Sequence, residues 1–487
     1  MRRFDMNLKK LLFNNKQESS GQIIIILAVS LLVLLIVAAL AIDGGMLYSD
    51  RRFSQNAADA SSLAAAAWTA NAMADQGLSY NDFGCSILED EVLAGFGEAK
   101  LRAASNNFSN NLPDDLAVNF YDDGAVHEIT DPNGMMAVCS DPEFGPKYID
   151  FKVRITTETS TSFLHLISPG TLKSTVEAVT RLEPQRNIGY GNAIVALNSD
   201  YTNCNTNTIG LTVSGTSEIN ITGGGLWSNG CMRINGPPSA SSPLLVTLED
   251  GAKANLINPG GINLINGTLE PADAENIVPS EYTLDLYSDA YKIKSLLENT
   301  CNGFTNQGDI RVNNNNTREI TPGLYDKLVV NGDVDTTTVT FTNPDGLENP
   351  VYCFNDTVTI NGGTVSGDTV LIYLRNGDMS VSANAVVSIR SSDVDQDYYI
   401  LDGLLIFMDP DDANSISLEG GGTSYFSGTI FGLEGDVDIG GNSSLIEQTY
   451  STQLIGKNVG VHGNVGIDIN FDLSQNVTMP PLLNLLQ

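Results

Sequence analysis

The sequence predicts one membrane-spanning helix, which continues into an alanine-rich helix and a small α+β domain, followed by a large mainly β domain. Three observations carry this prediction. Residues 23–42 contain no charged side chain, and ten of the eighteen residues from 57 to 74 are alanine. From about residue 187, short runs alternate apolar and polar side chains and end at Gly, Asn or Asp. At 487 residues, the chain is long enough for several domains.

The uncharged stretch fixes the predicted location of the chain. Twenty helical residues span about 30 Å, the thickness of the hydrocarbon core of a bilayer. The first 21 residues carry five basic and two acidic side chains, and Asp43 and Asp50 follow the stretch. By the positive-inside rule, residues 1–21 are cytoplasmic, residues 22–42 cross the cytoplasmic membrane, and the rest is extracytoplasmic. A cleaved signal peptide is the alternative, although its apolar run is ordinarily shorter.

The excess of negative charge excludes one class of partner. The chain has 58 acidic and 25 basic side chains, for a net charge of -33. Proteins that bind nucleic acids neutralise phosphates with Lys and Arg, so no nucleic-acid partner is predicted. The charge suits an exported protein that stays soluble.

All six cysteines follow the membrane segment. Their even number and wide spacing predict disulfides in an oxidising compartment, and no CxxC pair indicates a zinc or redox site. Sequential pairing keeps each disulfide within one domain, and six free thiols is the alternative. The predicted pairs are Cys85–Cys139, Cys204–Cys231 and Cys301–Cys353.

The residues after the membrane segment are predicted to be helical and then mixed. Residues 43–78 form an alanine-rich helical stalk, with small side chains on one face that would let another helix approach closely. Residues 79–186 form an α+β domain. It has a helix over residues 88–108, by the spacing of its apolar side chains. Strands are predicted at 116–121, 148–156, 160–167 and 172–182, and the second of them alternates apolar and polar side chains.

Residues 187–487 are predicted to form the mainly β domain. Short, regularly punctuated strands are typical of a parallel β-helix, here a right-handed one, and a β-sandwich or jelly roll is the alternative. A helix-like stretch at 281–299 is expected to pack on its outside. The apolar residues after Pro480 and Pro481 are expected to cap the last coil or dock against it.

Three sequence motifs follow one another in the N-terminal third. Gly21-Gln22 precede the apolar run, Ala41-Ile42-Asp43-Gly44-Gly45 end it, and Gln55-Asn56-Ala57-Ala58-Asp59-Ala60 follow it. With this succession, the segment from about residue 21 to 183 resembles TadE/TadG-like proteins of bacterial tight-adherence (Flp) pilus systems. The later part resembles C-terminal domains of some members through residues 223–229 and 351–354.

The resemblance implies an accessory protein of pilus assembly and cell adhesion, with pilus or secretion-system proteins as partners. Prepilin peptidases cut type IV-like pilins after a Gly before the apolar run, usually with Glu as the fifth residue beyond it. Gly21 followed by Gln22 could be such a site, but the fifth residue is Ile26. The chain is therefore predicted to stay uncleaved.

No cofactor is predicted, and Ca²⁺ is the one metal considered. Asp393, Asp395 and Asp397 bring hard oxygen ligands together, but Tyr398 and Leu404 stand where an EF-hand needs Gly and Glu. A looser Ca²⁺ site could form there, or at Asp409, Asp411 and Asp412. The three histidines, His127, His165 and His462, have no metal-ligand spacing.

A β-helix is also compatible with polysaccharide cleavage and with carbohydrate binding. Polysaccharide lyases and hydrolases also use β-helices, but no nucleophile motif or clustered base supports an enzyme, so no catalysis is predicted. An adhesin-like module that binds envelope carbohydrate is the alternative to an assembly role. Sugar faces stack on exposed aromatic rings, for which Trp227, Tyr398 and Tyr399 are the candidates.

Overall fold

The computed structural model describes most of the chain after the basic N-terminal segment. The described residues are 20–76, 78, 80, 83–108, 127–130, 135–141, 147–161, 163, 171–199, 210–216, 218–237, 244–249, 253–256, 262–270, 277–279, 283–347, 349–394, 400–419, 424–441, 448–463 and 467–486.

Helix α1 (Ser20–Asp75) runs without a break from the apolar segment through the alanine-rich segment. Its 56 residues span about 84 Å. Residues 24–38 are exposed, and within them Ser30 donates its hydroxyl hydrogen to the Leu27 carbonyl, so its one polar group is satisfied inside the helix. Within the described residues, α1 is the one helix long and apolar enough to cross a membrane.

The second half of α1 belongs to a two-layer α+β unit. Helix α2 (Glu89–Ser105) packs beside α1, and the helices share a core with an antiparallel sheet. The order in the sheet is β1-β2-β3-β4-β33. Its strands are β1 (His127–Thr130), β2 (Met135–Ser140), β3 (Tyr148–Ser160), β4 (Thr171–Glu183) and β33 (Leu482–Leu486).

The predicted stalk is therefore not a separate element. Ala57, Ala58, Ala65 and Ala66 are fully buried against the sheet and α2. Small side chains do allow close approach, as expected, but the surfaces that approach are the β3–β4 hairpin and a helix of the same chain. The alanine-rich half of α1 is the core helix of the α+β unit.

The prediction for the C-terminal tail was wrong. Instead of capping a coil, β33 pairs antiparallel with β4, from Leu482 opposite Glu183 to Leu486 opposite Val179. The physical reason is an open edge. β4 otherwise has one side unpaired, and a strand with unpaired N–H and C=O groups is stabilised by a partner. The large β region is thus inserted between two neighbouring strands of the α+β sheet.

The β region contains strands β5 to β32 and one helix, α3 (Tyr287–Cys301). The strands are β5 (Arg186–Asn187), β6 (Asn192–Ala196), β7 (Leu211–Gly215), β8 (Ile219–Thr222), β9 (Gly225–Ser228), β10 (Met232–Asn235), β11 (Leu244–Glu249), β12 (Ala254–Leu256), β13 (Ile262–Ile265), β14 (Gly267–Glu270), β15 (Ile277–Pro279), β16 (Ile310–Val312), β17 (Thr317–Ile320), β18 (Gly323–Tyr325), β19 (Leu328–Val330), β20 (Thr338–Phe341), β21 (Val351–Phe354), β22 (Val358–Ile360), β23 (Gly363–Gly367), β24 (Leu371–Leu374), β25 (Met379–Val381), β26 (Ala385–Arg390), β27 (Leu404–Met408), β28 (Ser415–Leu418), β29 (Tyr425–Gly441), β30 (Gln448–Gly463), β31 (Ile467–Asn470) and β32 (Thr478–Met479).

Strands that are three apart in the chain pair in parallel, as β16 does with β19 and β19 with β22. Three strands therefore complete one coil, and the coils build three parallel ladders. Ladder A contains β6, β9, β12, β15, β18, β21, β24 and β27. Ladder B contains β7, β10, β13, β16, β19, β22, β25 and β28, and ladder C contains β8, β11, β14, β17, β20, β23, β26 and β31. The long strands β29 and β30 pass through all three ladders.

The coils are not stacked in chain order. Strand β30 pairs on one side with β29 and on the other with β6 and β7, from the beginning of the β region. The strands β6–β15 therefore form one half of the stack and β16–β29 the other, and β30 joins them. The interior is lined by the apolar residues of all three ladders.

Helix α3 covers ladder A. Strands β21, β24 and β27 are buried on both faces, and their outward side chains form a second core with Ala290, Ile293 and Leu297 of the helix. In the part of the chain that the structure describes, no helix covers ladders B and C, and in strands such as β22 and β25 the middle residue faces outward and is polar. Burial on one face or two explains why some strands alternate while others are apolar throughout.

Candidate functional site

A line of polar contacts joins α1 to the β3–β4 hairpin. Thr159 donates its hydroxyl hydrogen to an Asp50 carboxylate oxygen at 2.7 Å, and the Ser62 and Thr180 hydroxyls are 2.8 Å apart. Between them, the Gln55 amide donates to the Glu177 carbonyl at 3.1 Å. These bonds fix the register of the helix on the hairpin, so the apolar half of α1 continues directly from a rigid unit.

The contact nearest the apolar segment is made by Asp43. This residue is the first charged one after the apolar run, yet only 4% of its surface is exposed. Its two carboxylate oxygens lie 3.2 and 3.1 Å from the backbone N–H of Phe163, just beyond β3. A buried carboxylate needs hydrogen-bond donors, and this N–H is one of them.

A polar cleft lies on ladder B, where the two halves of the stack meet. It has a volume of about 210 Å³. Asn458 organises its floor, because its amide donates to Asp436 at 2.7 Å while its oxygen accepts from the N–H of Gly210 at 2.8 Å. The other polar lining side chains are Thr212, Ser214, Asn235, Asp438 and His462.

Asp438 is the group in the cleft with the clearest electrostatic perturbation. Burial raises the pKa of its carboxyl group, because the charged form loses hydration, and the nearby acids Asp436 and Glu419 raise that pKa further. His462 opposes the shift. Its charge lowers the pKa of the Asp438 carboxyl group, and its Nε2 lies 3.9 Å from a Glu419 carboxylate oxygen. Gly460 gives the Asp438 carboxylate room, since a Cβ there would overlap it.

The chemistry available in this cleft is hydrogen bonding to a small polar group. No local sequence pattern indicates this cleft, because Thr212 and Gly460 become neighbours only through the pairing of β7 with β30. Among the described residues, no Phe, Tyr or Trp ring lines the cleft. Among the residues that the structure describes, no group of three or more His, Cys, Asp or Glu could hold a metal ion.

The first predicted Ca²⁺ site is only partly described. Asp393 pairs with Arg390, with a carboxylate oxygen 3.2 Å from the guanidinium group. Asp395 and Asp397 lie outside the described residues, so this prediction remains untested.

At the second candidate Ca²⁺ site, Asp409 and Asp411 are paired with a lysine of the same chain. The Lys294 ammonium group of α3 lies 2.7 Å from Asp409 and 2.6 Å from Asp411. Hydrogen bonds from Lys294 and Tyr291 lower the pKa of the Asp411 carboxyl group. Asp412 is turned away and accepts the N–H of Gly377 at 2.9 Å. This cluster fastens α3 to ladder A.

The aromatic candidates for sugar binding are not assembled into a platform. Trp227 is 3% exposed, and its indole N–H donates to Asn229 at 2.8 Å, so it belongs to the core beneath α3. Tyr398 and Tyr399 lie outside the described residues. The carbohydrate-binding alternative thereby loses the ring that the sequence offered most clearly.

The cysteines are oxidised wherever they are described. Disulfides join Cys85 to Cys139 and Cys301 to Cys353, as sequential pairing predicts. Cys231 is also disulfide-bonded, while its predicted partner Cys204 lies outside the described residues. The first disulfide ties the segment before α2 to β2, and the second ties the end of α3 to ladder A.

In class, the chain is a large, mainly β protein attached to a long apolar N-terminal helix that could span a membrane. Residues 21–68 match the Tad family, described as "Putative Flp pilus-assembly TadE/G-like". This segment is therefore a TadE/G-like domain, and the resemblance seen in the sequence is confirmed for it. The match covers the apolar run and most of the alanine-rich half of α1.

A comparison with curated proteins finds no match. Among solved structures, the chain is similar to an ice-binding protein with antifreeze activity from an Arctic yeast. The two are 10% identical, and the similarity covers 57% of this chain and 96% of that one, with a TM-score of 0.19. A superposition with this TM-score does not establish a shared fold.

Proposed function

We propose that this protein is a membrane-anchored accessory protein of Flp pilus assembly, with its bulk outside the cytoplasmic membrane and no catalytic step of its own. The match of residues 21–68 to the TadE/G-like family carries the proposal. The second half of this segment is part of the folded α+β unit, because the hydroxyl groups of Ser54 and Ser62 contact those of Thr157 and Thr180 in the sheet.

The proposed orientation follows from charge. Five basic side chains precede the apolar segment, whereas the residues after it carry nearly all the acidic excess. Basic flanks are retained in the cytoplasm, so the β region would lie outside. The disulfides support this side of the membrane, since an oxidising compartment preserves them.

We further infer that the β region is a right-handed parallel β-helix. The pairing of strands three apart supports three strands per coil. Right-handedness follows from the general preference of parallel crossover connections. In this arrangement the β-helix is a rigid body that presents ladders B and C to partners, and envelope polysaccharide remains a possible second partner by proposal only.

The family segment offers a definite surface for pilus-assembly partners. Leu63 and Trp68 are exposed on α1 beyond the apolar run, although large apolar side chains are usually buried. We assign them to the contact with partner proteins anchored in the same membrane.

Site-specific photocrosslinking in native membranes tests the assignment. A crosslinker at residue 63 or 68 should capture proteins of the pilus or secretion machinery, identified by mass spectrometry. Leu101 on α2 is a matched control, because it is more exposed than Leu63 and Trp68 but lies outside the family segment. Crosslinks that are equal at all three positions, or recovery of wall polysaccharide alone after pull-down, would contradict an assembly role.

Protease treatment of intact spheroplasts tests the orientation separately. If the β region is extracytoplasmic, digestion should remove nearly all of the chain beyond α1. A full-length product, protected until the membrane is opened, would overturn the proposed topology while leaving the family assignment intact.

A further inference from the structure

We propose that the end of the α+β unit nearest the apolar segment rests directly on the lipid surface, through the exposed side chains of Met46, Tyr48 and Phe163. Asp43 is the positioning residue that holds Phe163 there. The inference rests on the proposed function in one respect, because it requires the apolar half of α1 to lie in a bilayer.

The hydrogen bond between Asp43 and Phe163 sets the depth of Phe163. Its N–H lies 3.1 Å from a carboxylate oxygen of the first residue after the uncharged run. Phe163 must therefore lie at about the level of Asp43 along α1, just beyond the end of the uncharged run. The side chain of Phe163 is 42% exposed, although it is a large apolar group.

Two residues of α1 lie at neighbouring levels. At about 1.5 Å per residue, Met46 is roughly 4.5 Å and Tyr48 roughly 7.5 Å above Asp43. The headgroup layer is about 5–7 Å thick on each side of the hydrocarbon core. Met46 is 40% and Tyr48 70% exposed. With the hydrocarbon core ending at Asp43, Met46 would lie within this layer and Tyr48 at its outer edge.

Met46, Tyr48 and Phe163 together form a collar around the end of the apolar segment. The chemistry of this collar fits a lipid interface. Aromatic side chains are enriched at the boundary between hydrocarbon and headgroups, where the ring is apolar on one side and hydrated on the other. Arg51 and Arg52 are exposed just above the collar, within reach of lipid phosphates, in a chain that is otherwise strongly acidic. Apolar side chains below and basic ones above follow the polarity profile of a membrane surface.

The surface is continuous with the apolar face of α1, which is exposed along residues 24–38. A bilayer that surrounds those residues necessarily reaches the level of Asp43. No separate partner is then needed to cover Phe163. The consequence is that the α+β unit cannot swing freely about a flexible linker, since it is fixed by both the helix and the lipid contact.

The test uses the full chain in nanodiscs whose lipids carry bromine at known acyl-chain depths. Phe163→Trp adds one fluorophore at the collar. The native Trp68 lies 25 residues beyond Asp43 on α1 and Trp227 is buried in the β region, so bromine should not quench either. Most of the added emission should be quenched by bromines placed near the headgroups. Leu101→Trp on α2, an exposed position farther from the apolar segment, should not be quenched.

Two variants of Asp43 test its role. Asp43→Ala removes the acceptor for the Phe163 N–H, and in this background the Phe163→Trp emission should lose most of its quenching. Asp43→Asn keeps an oxygen acceptor and should preserve it. Equal quenching in all three backgrounds would show that Asp43 does not position Phe163, and that part of the proposal would fall.

Leu35→Trp separates this inference from the proposed function. Its emission should be quenched by bromines deep in the bilayer if α1 spans the membrane. Quenching of Leu35→Trp without quenching of Phe163→Trp would overturn the lipid contact alone. Absence of quenching at both positions would overturn the proposed membrane anchoring.

Discussion

At the scale of single residues, the function of a side chain here depends on neighbours that are remote in sequence. Asp411 was a potential metal ligand in the sequence, but in the fold it pairs with Lys294 of α3. Trp227 was a candidate for sugar stacking, but it packs beneath the same helix. Asp438 belongs to no recognisable motif in the sequence, yet burial beside two other acids makes its ionisation unfavourable.

Asp438→Asn should increase stability at neutral pH. The pKa of the Asp438 carboxyl group is raised by folding, so the wild-type protein loses stability as pH rises through that value. The amide of the variant does not titrate. Its advantage in the free energy of unfolding should therefore be present at pH 7 and vanish below about pH 4, where the acid is protonated in both folded and unfolded wild-type chains.

Urea denaturation across this pH range is the measurement. Asp345→Asn, in an exposed turn after β20, controls for the loss of one carboxylate. A stability difference between Asp438→Asn and the wild type that does not change with pH would refute the electrostatic explanation.

At the scale of elements, α1 and α2 approach each other closely because both present small residues. Gly95 of α2 faces α1, and a Cβ on it would lie 2.7 Å from the Thr69 hydroxyl oxygen and 2.9 Å from the Ala65 carbonyl oxygen. Gly97, two residues further on, has no neighbour within 4 Å. The same helix thus contains one glycine required by packing and one that is not.

Gly95→Ala should destabilise the α+β unit, whereas Gly97→Ala should stabilise it. Overpacking costs about 1–3 kcal/mol, more than the roughly 1 kcal/mol that alanine gains over glycine in a helix interior. Gly97→Ala should gain the helix propensity of alanine without the cost of overpacking. Thermal unfolding of both variants in detergent measures the difference, and a shift of the same sign in both would contradict the packing argument.

At the scale of the whole molecule, both ends of the β region return to the α+β unit. β32 pairs with β5, and β33 pairs with β4, so the last strand of the chain completes the sheet that the first strands begin. Leu483 packs into the core of the α+β unit. The α+β unit and the β region are therefore joined by two chain segments, one at each end of the β region.

Deleting residues 482–487 should loosen the α+β sheet without unfolding the coils. β4 would lose a paired neighbour, and the core would lose the contact of the partly buried Leu483. The cost should be below the roughly 2–5 kcal/mol of truncating a fully buried leucine. Hydrogen exchange of the β4 amides should accelerate, while that of β21 and β24 stays unchanged. Leu486→Ala, which truncates an exposed side chain of the same strand, is the matched control and should have little effect.

Much of the architecture could be predicted from the sequence because its signals are local. The uncharged run, the alanine-rich helix, the succession of Gln55, Asn56 and Ala57 after Asp43, and the alternation within each short strand can each be read from a short stretch of the chain. Periodicity and composition determine which face of an element is apolar, and the family match at residues 21–68 follows from the same local pattern.

Tertiary structure alone decided which elements meet. The packing of the alanine face on β3 and β4, the capture of β33 by β4, the junction of β30 with β6 and β7, and the contact of Asp43 with Phe163 all join residues far apart in the chain. A local pattern states that a strand or face needs a partner but does not name it, because hydrogen-bonding edges and apolar faces of different elements are chemically alike. The choice is made by the fold that satisfies all of them at once.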